Sequence, residues 1–346
     1  MITVIGTSFP KNSQWHSDEN ELIQNITTQI KNTFKDDLNL FINTTWFGPQ
    51  FDNGEFSKFI KTVNFQKYDN LFLLASVDPV FLTKDQIEKM FKISGAKNLY
   101  LLGNFDTDYC FTFISTLLPK YFKKYSNDEI IMKNCKHLFV CYNRKPRKHR
   151  IELIEKMNQY KLLDLGLYTL GKTHSLYSGS LHSNLQNTLG EAPNEGNWGM
   201  DVEEFGIAHD IHTLGSLDIW QNHFINIISE TEFNPWDNMF ITEKTWKPIL
   251  GLRPFIINGQ PQIYKYLKKA GFKVFNHYWP TIDLENSTDI TVHENICEII
   301  KFLTKFSKKE LMSMYNDMLP DLYYNRERFY EFSKEQVHKI NNLFNQ

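Results

Sequence analysis

The residue types best suited to chemistry stand together in residues 240–248, which read FITEKTWKP. The carboxylate of Glu243 lies directly before the ammonium group of Lys244, and Lys247 follows three positions later. A carboxylate can accept hydrogen bonds from a pair of sugar hydroxyls, and a lysine near a helix start attracts phosphate. The segment therefore predicts a site for a ligand that carries both a sugar and a phosphate. The alternative is a surface ion pair between Glu243 and Lys247.

The same segment contains signals for the start of a helix. Thr242 or Thr245 can act as the helix cap, and Pro248 fits a first turn better than a helix interior. The spacing therefore favours Thr245 as the cap, which places Glu243 and Lys244 on the approach to the helix. There the helix dipole and the backbone N–H groups favour a diphosphate.

A second charged segment lies earlier in the chain, in residues 143–150, which read NRKPRKHR. It follows a predicted strand, and Arg150 is expected to open the next helix. An arginine in that place can reach phosphate oxygens with its planar fork of donors. Alone, such a turn is typical of a solvated surface. Because both charged segments follow strands of one predicted domain, we expect them to share a phosphate site.

The elements that must position these residues alternate between strands and helices. Short apolar runs bounded by turn residues predict strands, and apolar residues spaced three or four apart predict helices. The predicted strands are Ile2–Ile5, Leu38–Ile42, Leu71–Ala75, Leu99–Leu102, Leu138–Tyr142, Phe224–Ile228, Phe255–Ile257 and Phe272–Phe275. Helices are expected after a Ser17 cap and over residues 83–93, and the end of the chain is helical and aromatic. This alternation predicts an α/β protein with parallel sheets.

Acidic side chains and a long polar segment fall between these elements. Asp78 and Asp106 each follow a predicted strand, at the edge of a parallel sheet where ligands bind. Residues 166–221 are rich in Gly, Ser, Asn and His, which is typical of a long loop that binds a ligand or covers a site. A His-x-x-His pair within it, His209 and His212, is a weak sign of zinc, and we expect no metal site.

Composition argues against several classes of protein. The 346 residues suffice for two domains with a core each, and the formal charge of −2 offers no strong attraction to nucleic acid or to an acidic membrane. The four cysteines form no CxxC pair, which is typical of a reducing compartment. No window approaches the ~20 apolar residues of a membrane span, and the first apolar run is too short for a signal peptide. We therefore expect a cytoplasmic protein without a membrane span.

The two charged segments and the strands around them resemble the carboxy-terminal domain of GT-B glycosyltransferases, in particular the α1,3-fucosyltransferase family. The resemblance is carried by Phe139–Asn143 with Arg150 after it, by Ser229–Glu230, by Ile241–Lys244 and by Pro254–Gly259. The block TEKTWKP is also similar to one in phage and bacterial glycosyltransferase-like proteins. The match does not extend to the first domain, whose sequence shows no family motif.

The resemblance implies a fold and a domain order. A GT-B protein is an α/β protein in which two Rossmann-like domains face a cleft that holds the donor. The implied arrangement is an N-terminal acceptor domain over residues 1–130, a donor domain over residues 131–320 and a helical C-terminal tail over residues 321–346.

The resemblance also implies roles for the charged residues. In the family the matching arginine and lysine hold the donor diphosphate and the glutamate before the lysine holds the ribose, so these roles fall to Arg150, Lys244 and Glu243. Glu230 matches a family glutamate beside the donor. The expected donor-binding set is Asn143, Arg150, Glu230, Glu243, Lys244 and Lys247. The donor is a nucleotide-sugar, with a GDP-sugar favoured, and it acts as a co-substrate rather than as a cofactor.

The implied reaction moves a hexosyl or fucosyl group to a hydroxyl of a glycan or another acceptor, with inversion at the anomeric carbon. Positive charge at the donor site would replace a metal ion at the departing diphosphate. A carboxylate of the first domain would take the proton of the acceptor, and Asp78 and Asp106 are the candidates. The triplet from Asp106 to Asp108 leaves a metal-dependent GT-A enzyme as an alternative.

Two other functions stay open at this point. A non-catalytic nucleotide- or glycan-binding protein would keep the donor site without a working carboxylate, which fits the lack of a motif in the first domain. A glycosyltransferase that acts on modified DNA bases would need a basic groove, which a near-neutral chain does not promise. The sequence leaves the sugar, the nucleotide, the acceptor and the oligomeric state undetermined.

Overall fold

The structure, a computed structural model, describes residues 1–6, 16–44, 68–76, 84–105, 107–143, 147–170, 213–231, 233, 240–279, 282–288 and 291–345. Within these ranges the chain forms two four-stranded parallel sheets with helices between the strands, so the predicted α/β class is confirmed. The four cysteines are free thiols. No helix in the described ranges is long and apolar enough to cross a membrane.

The chain divides into two compact units. The first comprises Met1–Thr116, Pro235–Phe240 and Ser333–Gln346, and the second comprises Leu117–Asn234 and Ile241–Phe332. Each unit contains one of the two sheets. The acceptor and donor roles of the two domains stay predictions.

The first unit is built on four strands that lie side by side in chain order, β1-β2-β3-β4. Its elements are β1 (Ile2–Gly6), α1 (His16–Thr33), β2 (Asn39–Asn43), β3 (Asn70–Ala75), α2 (Lys84–Ser94), β4 (Asn98–Gly103) and the start of α3 (Phe113–Tyr121). Strands β2 and β3 are buried along their whole length, as expected of central strands in a parallel sheet. The continuous apolar runs of β2 and β3 therefore predicted these two strands from the sequence.

Both faces of the first sheet are covered. On one face the apolar side chains of β2 and β3 pack with Ile87 and Met90 of α2. On the other face Phe72 of β3 contacts Phe34 and the C-terminal Phe344, with ring centroids 5.4 Å and 5.6 Å apart. The end of the chain therefore completes the core of the first unit.

The second unit has a different strand order, β6-β5-β7-β8, and all its strands are parallel. Its elements are α4 (Asn127–Ile130), β5 (His137–Cys141), α5 (Lys148–Gln159), β6 (Leu167–Tyr168), α6 (Leu217–Gln221), β7 (His223–Ser229), α7 (Glu243–Leu250), β8 (Phe255–Asn258), α8 (Gln262–Lys269), α9 (Val292–Leu303) and α10 (Lys308–Asn341), which runs on into the first unit. Every residue of β7 and β8 is buried. Their apolar runs again agree with the predicted strands.

Two local predictions are wrong. The first helix begins at His16, so Ser17 lies inside it rather than at its cap. Residues 272–275 form no strand, although most of them are apolar and buried. Their backbone is held by a side chain instead, because Asn325 of α10 accepts from the N–H of Lys273 at 2.7 Å and donates to its carbonyl at 2.9 Å. This pairing satisfies the polar groups that a neighbouring strand would otherwise bind.

Candidate functional site

The order in which successive strands join the second sheet reverses between β5 and β7. The chain passes from β5 to its neighbour β6 on one side, and then places β7 and β8 on the other side of β5. In open α/β sheets ligands bind outside the carboxyl ends of the strands at such a reversal. Asn143 follows β5 and Glu230 follows β7, so two of the predicted donor-binding residues lie at this point.

Glu230 is a fully buried carboxylate that holds the start of α7. It accepts hydrogen bonds from the backbone N–H of Thr242 at 3.1 Å and from the hydroxyls of Thr242 and Thr245 at 2.7 Å and 2.6 Å. The N–H of Thr231 adds a fourth bond at 3.2 Å. A buried carboxylate is stable only when such donors surround it. The side chain of Glu230 therefore fixes the helix start against the end of β7.

The glycine after β8 makes room for this carboxylate. A Cβ atom added at Gly259 would lie 3.0 Å from the Cβ of Glu230, which is closer than side chains normally approach. A larger residue at position 259 would therefore force Glu230 to shift by a few tenths of an ångström.

The basic segment before α5 contacts the same place from the other side. Arg150 is buried and donates to the carbonyls of Ser229 at 3.2 Å and Glu230 at 2.9 Å. Arg147 donates to the carbonyl of Thr231. Burial, followed by the nearby charge of Arg147, lowers the pKa of Arg150 to about 10. Both arginines therefore brace the segment after β7 and bring positive charge to it.

Glu243 and Lys244 form an ion pair within this charged cluster, in which the lysine is partly exposed and the glutamate is largely buried. Their side chains are 10% and 27% exposed, and Lys244 Nζ donates to Glu243 Oε1 at 2.8 Å. The ammonium group also donates to the hydroxyls of Thr242 at 3.2 Å and Thr231 at 3.3 Å. A ligand oxygen can replace either of these longer bonds to neutral groups without breaking the ion pair.

Opposing effects set the ionisation of Glu243. Burial alone would raise the pKa of this carboxyl, but the charge and hydrogen bond of Lys244 and the charge of Lys247 outweigh it, so the pKa lies below its ordinary value. Glu243 is therefore a carboxylate that accepts hydrogen bonds at neutral pH. Glu243 forms its salt bridge with Lys244, and the charge of Lys247 adds to the lowering of its pKa.

The helix begins one turn earlier than its threonines suggested. Thr242 is the cap of α7 and accepts from the N–H of Lys244 at 3.3 Å, so the prediction of a Thr245 cap is wrong. The reason is Glu230, which binds both threonine hydroxyls and fixes the earlier start. Pro248 lies inside the helix as a result. Glu243 and Lys244 thus occupy the first turn rather than the approach to it.

Asn143 is fully buried at the end of β5. Its N–H donates to the hydroxyl of Thr169 at 2.8 Å, and its side-chain nitrogen donates to the sulfur of Cys141 at 3.3 Å. Its side-chain oxygen has no hydrogen-bond partner among the described residues. A buried amide oxygen without a donor is rare and is satisfied when a ligand supplies one.

The structure thus brings five predicted donor-site residues to one end of the second sheet, and Lys247 lies half-buried in the second turn of α7 near Glu243. Both candidate bases, Asp78 and Asp106, lie outside the described residues. So do residues 144–146 of the basic turn and the histidines of the long loop. Within the described ranges no group of three or more His, Cys, Asp or Glu residues could hold a metal ion.

Several residues of the site were not among the predicted donor-binding residues. Nε2 of His149 donates to the carbonyl of Glu230 at 3.0 Å, and Nε2 of His293 lies 3.1 Å from Oδ1 of Asn258. The side chain of Asn258 also bonds Ser229 Oγ at 3.2 Å. Asn258 belongs to the segment Pro254–Gly259 that carries the family resemblance, and it follows a predicted strand, but these signals gave its side chain no role.

The comparison with known proteins leaves this geometry as the basis for function. No protein-family model, curated protein or solved structure matches the chain.

Proposed function

We propose that the protein is a nucleotide-sugar-dependent glycosyltransferase of the GT-B type, with its donor site at the carboxyl edge of the second sheet. The observation that carries the proposal is the meeting of Arg150, Glu230, Glu243 and Lys244 at the reversal between β5 and β7. Helix starts at such reversals are where α/β proteins bind the phosphates of nucleotides. The resemblance to α1,3-fucosyltransferases favours a GDP-sugar.

The charges divide naturally between two parts of a nucleotide. Lys244 has an ammonium group that is partly exposed and bonded to two neutral hydroxyls, so a diphosphate oxygen is a stronger acceptor than either. Glu243 has a largely buried carboxylate beside Lys244, and a carboxylate can accept hydrogen bonds from the two hydroxyls of ribose. Arg150 adds positive charge from behind the segment that Glu230 holds.

These roles give a chemical step that needs no bound metal. As the bond from the anomeric carbon to the diphosphate breaks, negative charge grows on the leaving oxygen, and Lys244 with the start of α7 stabilises it. Glu230 acts as a positioning residue, because its four hydrogen bonds are made to the protein. The base that takes the proton of the acceptor hydroxyl is proposed to be Asp78 or Asp106.

The proposal is tested by measuring nucleotide affinity in two single variants. Wild-type protein is titrated with GDP, UDP, CDP, dTDP and CMP, and the best ligand is then used with Lys244→Ala and Glu243→Ala. A charge-assisted hydrogen bond contributes about 1.5–3 kcal/mol, so each variant should weaken binding about 10- to 150-fold. Glu298→Ala and Lys301→Ala are matched controls, because they break a similar exposed ion pair on α9 and should bind as wild type.

Truncated ligands assign each residue to its part of the nucleotide. The effect of Glu243→Ala should vanish with the 2′,3′-dideoxy form of the ligand, and the effect of Lys244→Ala should vanish with the nucleoside that lacks phosphate. Unchanged affinity in both variants would overturn the donor site. Tight binding without transfer or hydrolysis of any donor sugar would instead identify a non-catalytic nucleotide-binding protein.

A further inference from the structure

Three aromatic rings are stacked beside the donor site. The rings of His149 and Phe233 lie 5.3 Å apart between centroids at an interplanar angle of 14°, and those of Phe233 and His293 lie 5.4 Å apart at 22°. The Phe233 ring is therefore stacked against both imidazoles. We call the position that this ring occupies against the two imidazoles the histidine slot, and the imidazoles are its walls.

The two walls of the histidine slot are fixed and uncharged at neutral pH. His149 is held by the carbonyl of Glu230 at 3.0 Å, and His293 is held by Asn258 at 3.1 Å. Burial, with a smaller contribution from Arg150, lowers the pKa of His149 to about 3, and burial with the charge of Lys156 lowers the pKa of His293 to about 4. Both walls therefore present neutral aromatic faces.

The Phe233 ring differs from the two walls in its burial and its place in the chain. The histidines are 7% and 6% exposed and belong to α5 and α9, whereas Phe233 is half-buried and belongs to the segment between β7 and α7. Phe233 makes ring contacts with both walls. It stands two residues after Thr231, whose hydroxyl accepts from Lys244. The slot thus adjoins the groups proposed to bind diphosphate and ribose.

We propose that the histidine slot binds the base of the nucleotide, and that the Phe233 ring occupies it when no nucleotide is bound. This inference rests on the proposed function and assigns the third part of the same ligand. A nucleobase is flat and aromatic like the phenyl ring, and base stacking on aromatic side chains is sequence-tolerant because every base has a π-face. Since neutral walls select by stacked area, a purine binds more tightly than a pyrimidine.

The proposal predicts opposite effects for the occupant and for a wall. Phe233→Ala removes a competitor and should tighten GDP binding, whereas His293→Ala removes a stacking face and should weaken it about 5- to 150-fold. His293→Phe keeps a flat aromatic wall and should retain most of the affinity. Neither alanine variant should change the affinity for inorganic pyrophosphate or for ribose 5-phosphate, because these probes lack a base.

Isothermal titration of each variant with GDP, CDP, pyrophosphate and ribose 5-phosphate measures these effects. Phe306→Ala and His338→Ala are matched controls, because Phe306 is a half-buried phenylalanine in a ring contact and His338 is an exposed helical histidine. Loss of GDP affinity in Phe233→Ala, or equal weakening by His293→Ala and His293→Phe, would overturn the slot. If GDP binding still depends on Lys244 in that case, the donor site stands and the slot alone fails. If no nucleotide binds the wild-type protein, both proposals fail.

Discussion

The two sheets of this protein have the same number of parallel strands but a different order. In the first sheet the strands lie in chain order, so each described connection moves in one direction across it. In the second sheet the order β6-β5-β7-β8 reverses the direction between β5 and β7. Only a reversal leaves a crevice between the segments that follow two neighbouring strands. Strand order therefore explains why the candidate site lies in the second unit.

The side chains at the carboxyl edges of the two sheets also differ. At the first edge, Asn43 donates to the buried Glu19 at 3.0 Å, and the hydroxyl of Thr44 donates to the carbonyl of Leu74 at 2.8 Å. At the second edge, the charged Arg150 and Glu230 brace the segment after β7. Among the described residues, the first edge pairs an amide with the carboxylate of Glu19, whereas the second edge adds the positive charge of Arg150 where a phosphate can bind.

The largest expected effect tests whether charge at the second edge is required for folding. Glu230→Ala leaves two threonine hydroxyls and two backbone N–H groups of a buried site without their acceptor. We expect the free energy of unfolding to fall by about 3–5 kcal/mol, measured by urea denaturation. Glu21→Ala, at an exposed position of α1, is the control and should unfold as wild type. A loss in Glu230→Ala no larger than in the control would show that the carboxylate does not hold α7.

A hydrogen-exchange experiment tests whether ligand binding is confined to one sheet. At 100 times its dissociation constant, a nucleotide stabilises the native state by about 2.7 kcal/mol, which slows exchange through the affected openings about 100-fold. We expect this protection at Glu230, Thr231 and the first turn of α7, and no change in β1 to β4. Protection that is centred on the carboxyl edge of the first sheet would contradict the importance of the strand reversal.

A smaller effect is the pH dependence of the free energy of unfolding, which the buried histidines of the second unit should produce. Burial lowers the pKa of His293 to about 4 from 6.5, so between these values the unfolded chain binds a proton that the folded chain does not. The stabilising contribution is therefore complete above pH 6.5 and is lost as the pH falls toward 4, at about 1.4 kcal/mol per pH unit.

His293→Phe should reduce the slope of unfolding free energy against pH by that amount. The variant should still show a pH-dependent slope, because burial also lowers the pKa values of His149 and His223 to about 3. Urea denaturation at several pH values between 5 and 6.5 measures both slopes. Equal slopes in wild type and variant would contradict a neutral His293 in the native state.

The sequence predicted most of the regular structure because the strands of a parallel sheet are continuous apolar runs. The runs that became β3 and β7 were assigned to within a residue or two of their observed ends. The same reasoning failed at residues 272–275, where an apolar run is tied to Asn325 rather than to a strand. An apolar run in the sequence indicates that a segment is buried. Burial alone does not specify which groups form hydrogen bonds with the backbone of that segment.

The candidate site was less predictable than the fold. Glu243 and Lys244 stood out because of their charges and their place before a strand, but the helix cap was predicted at Thr245, one turn after the observed cap at Thr242. That start depends on Glu230, which is adjacent only in the folded chain. The partners of Arg150 are likewise backbone carbonyls of another strand end.

The sequence by itself determined the α/β class, the positions of the buried strands and the segments where charge is concentrated. These follow from local pattern, because apolar periodicity and turn residues act over a few positions of the chain. Only the tertiary structure decided the reversal between β5 and β7, the structural role of Glu230 and the stacking of His149 and His293 on Phe233. Each of these depends on which distant segments pack together, and hydrogen bonds and ring contacts between them leave no period in the sequence.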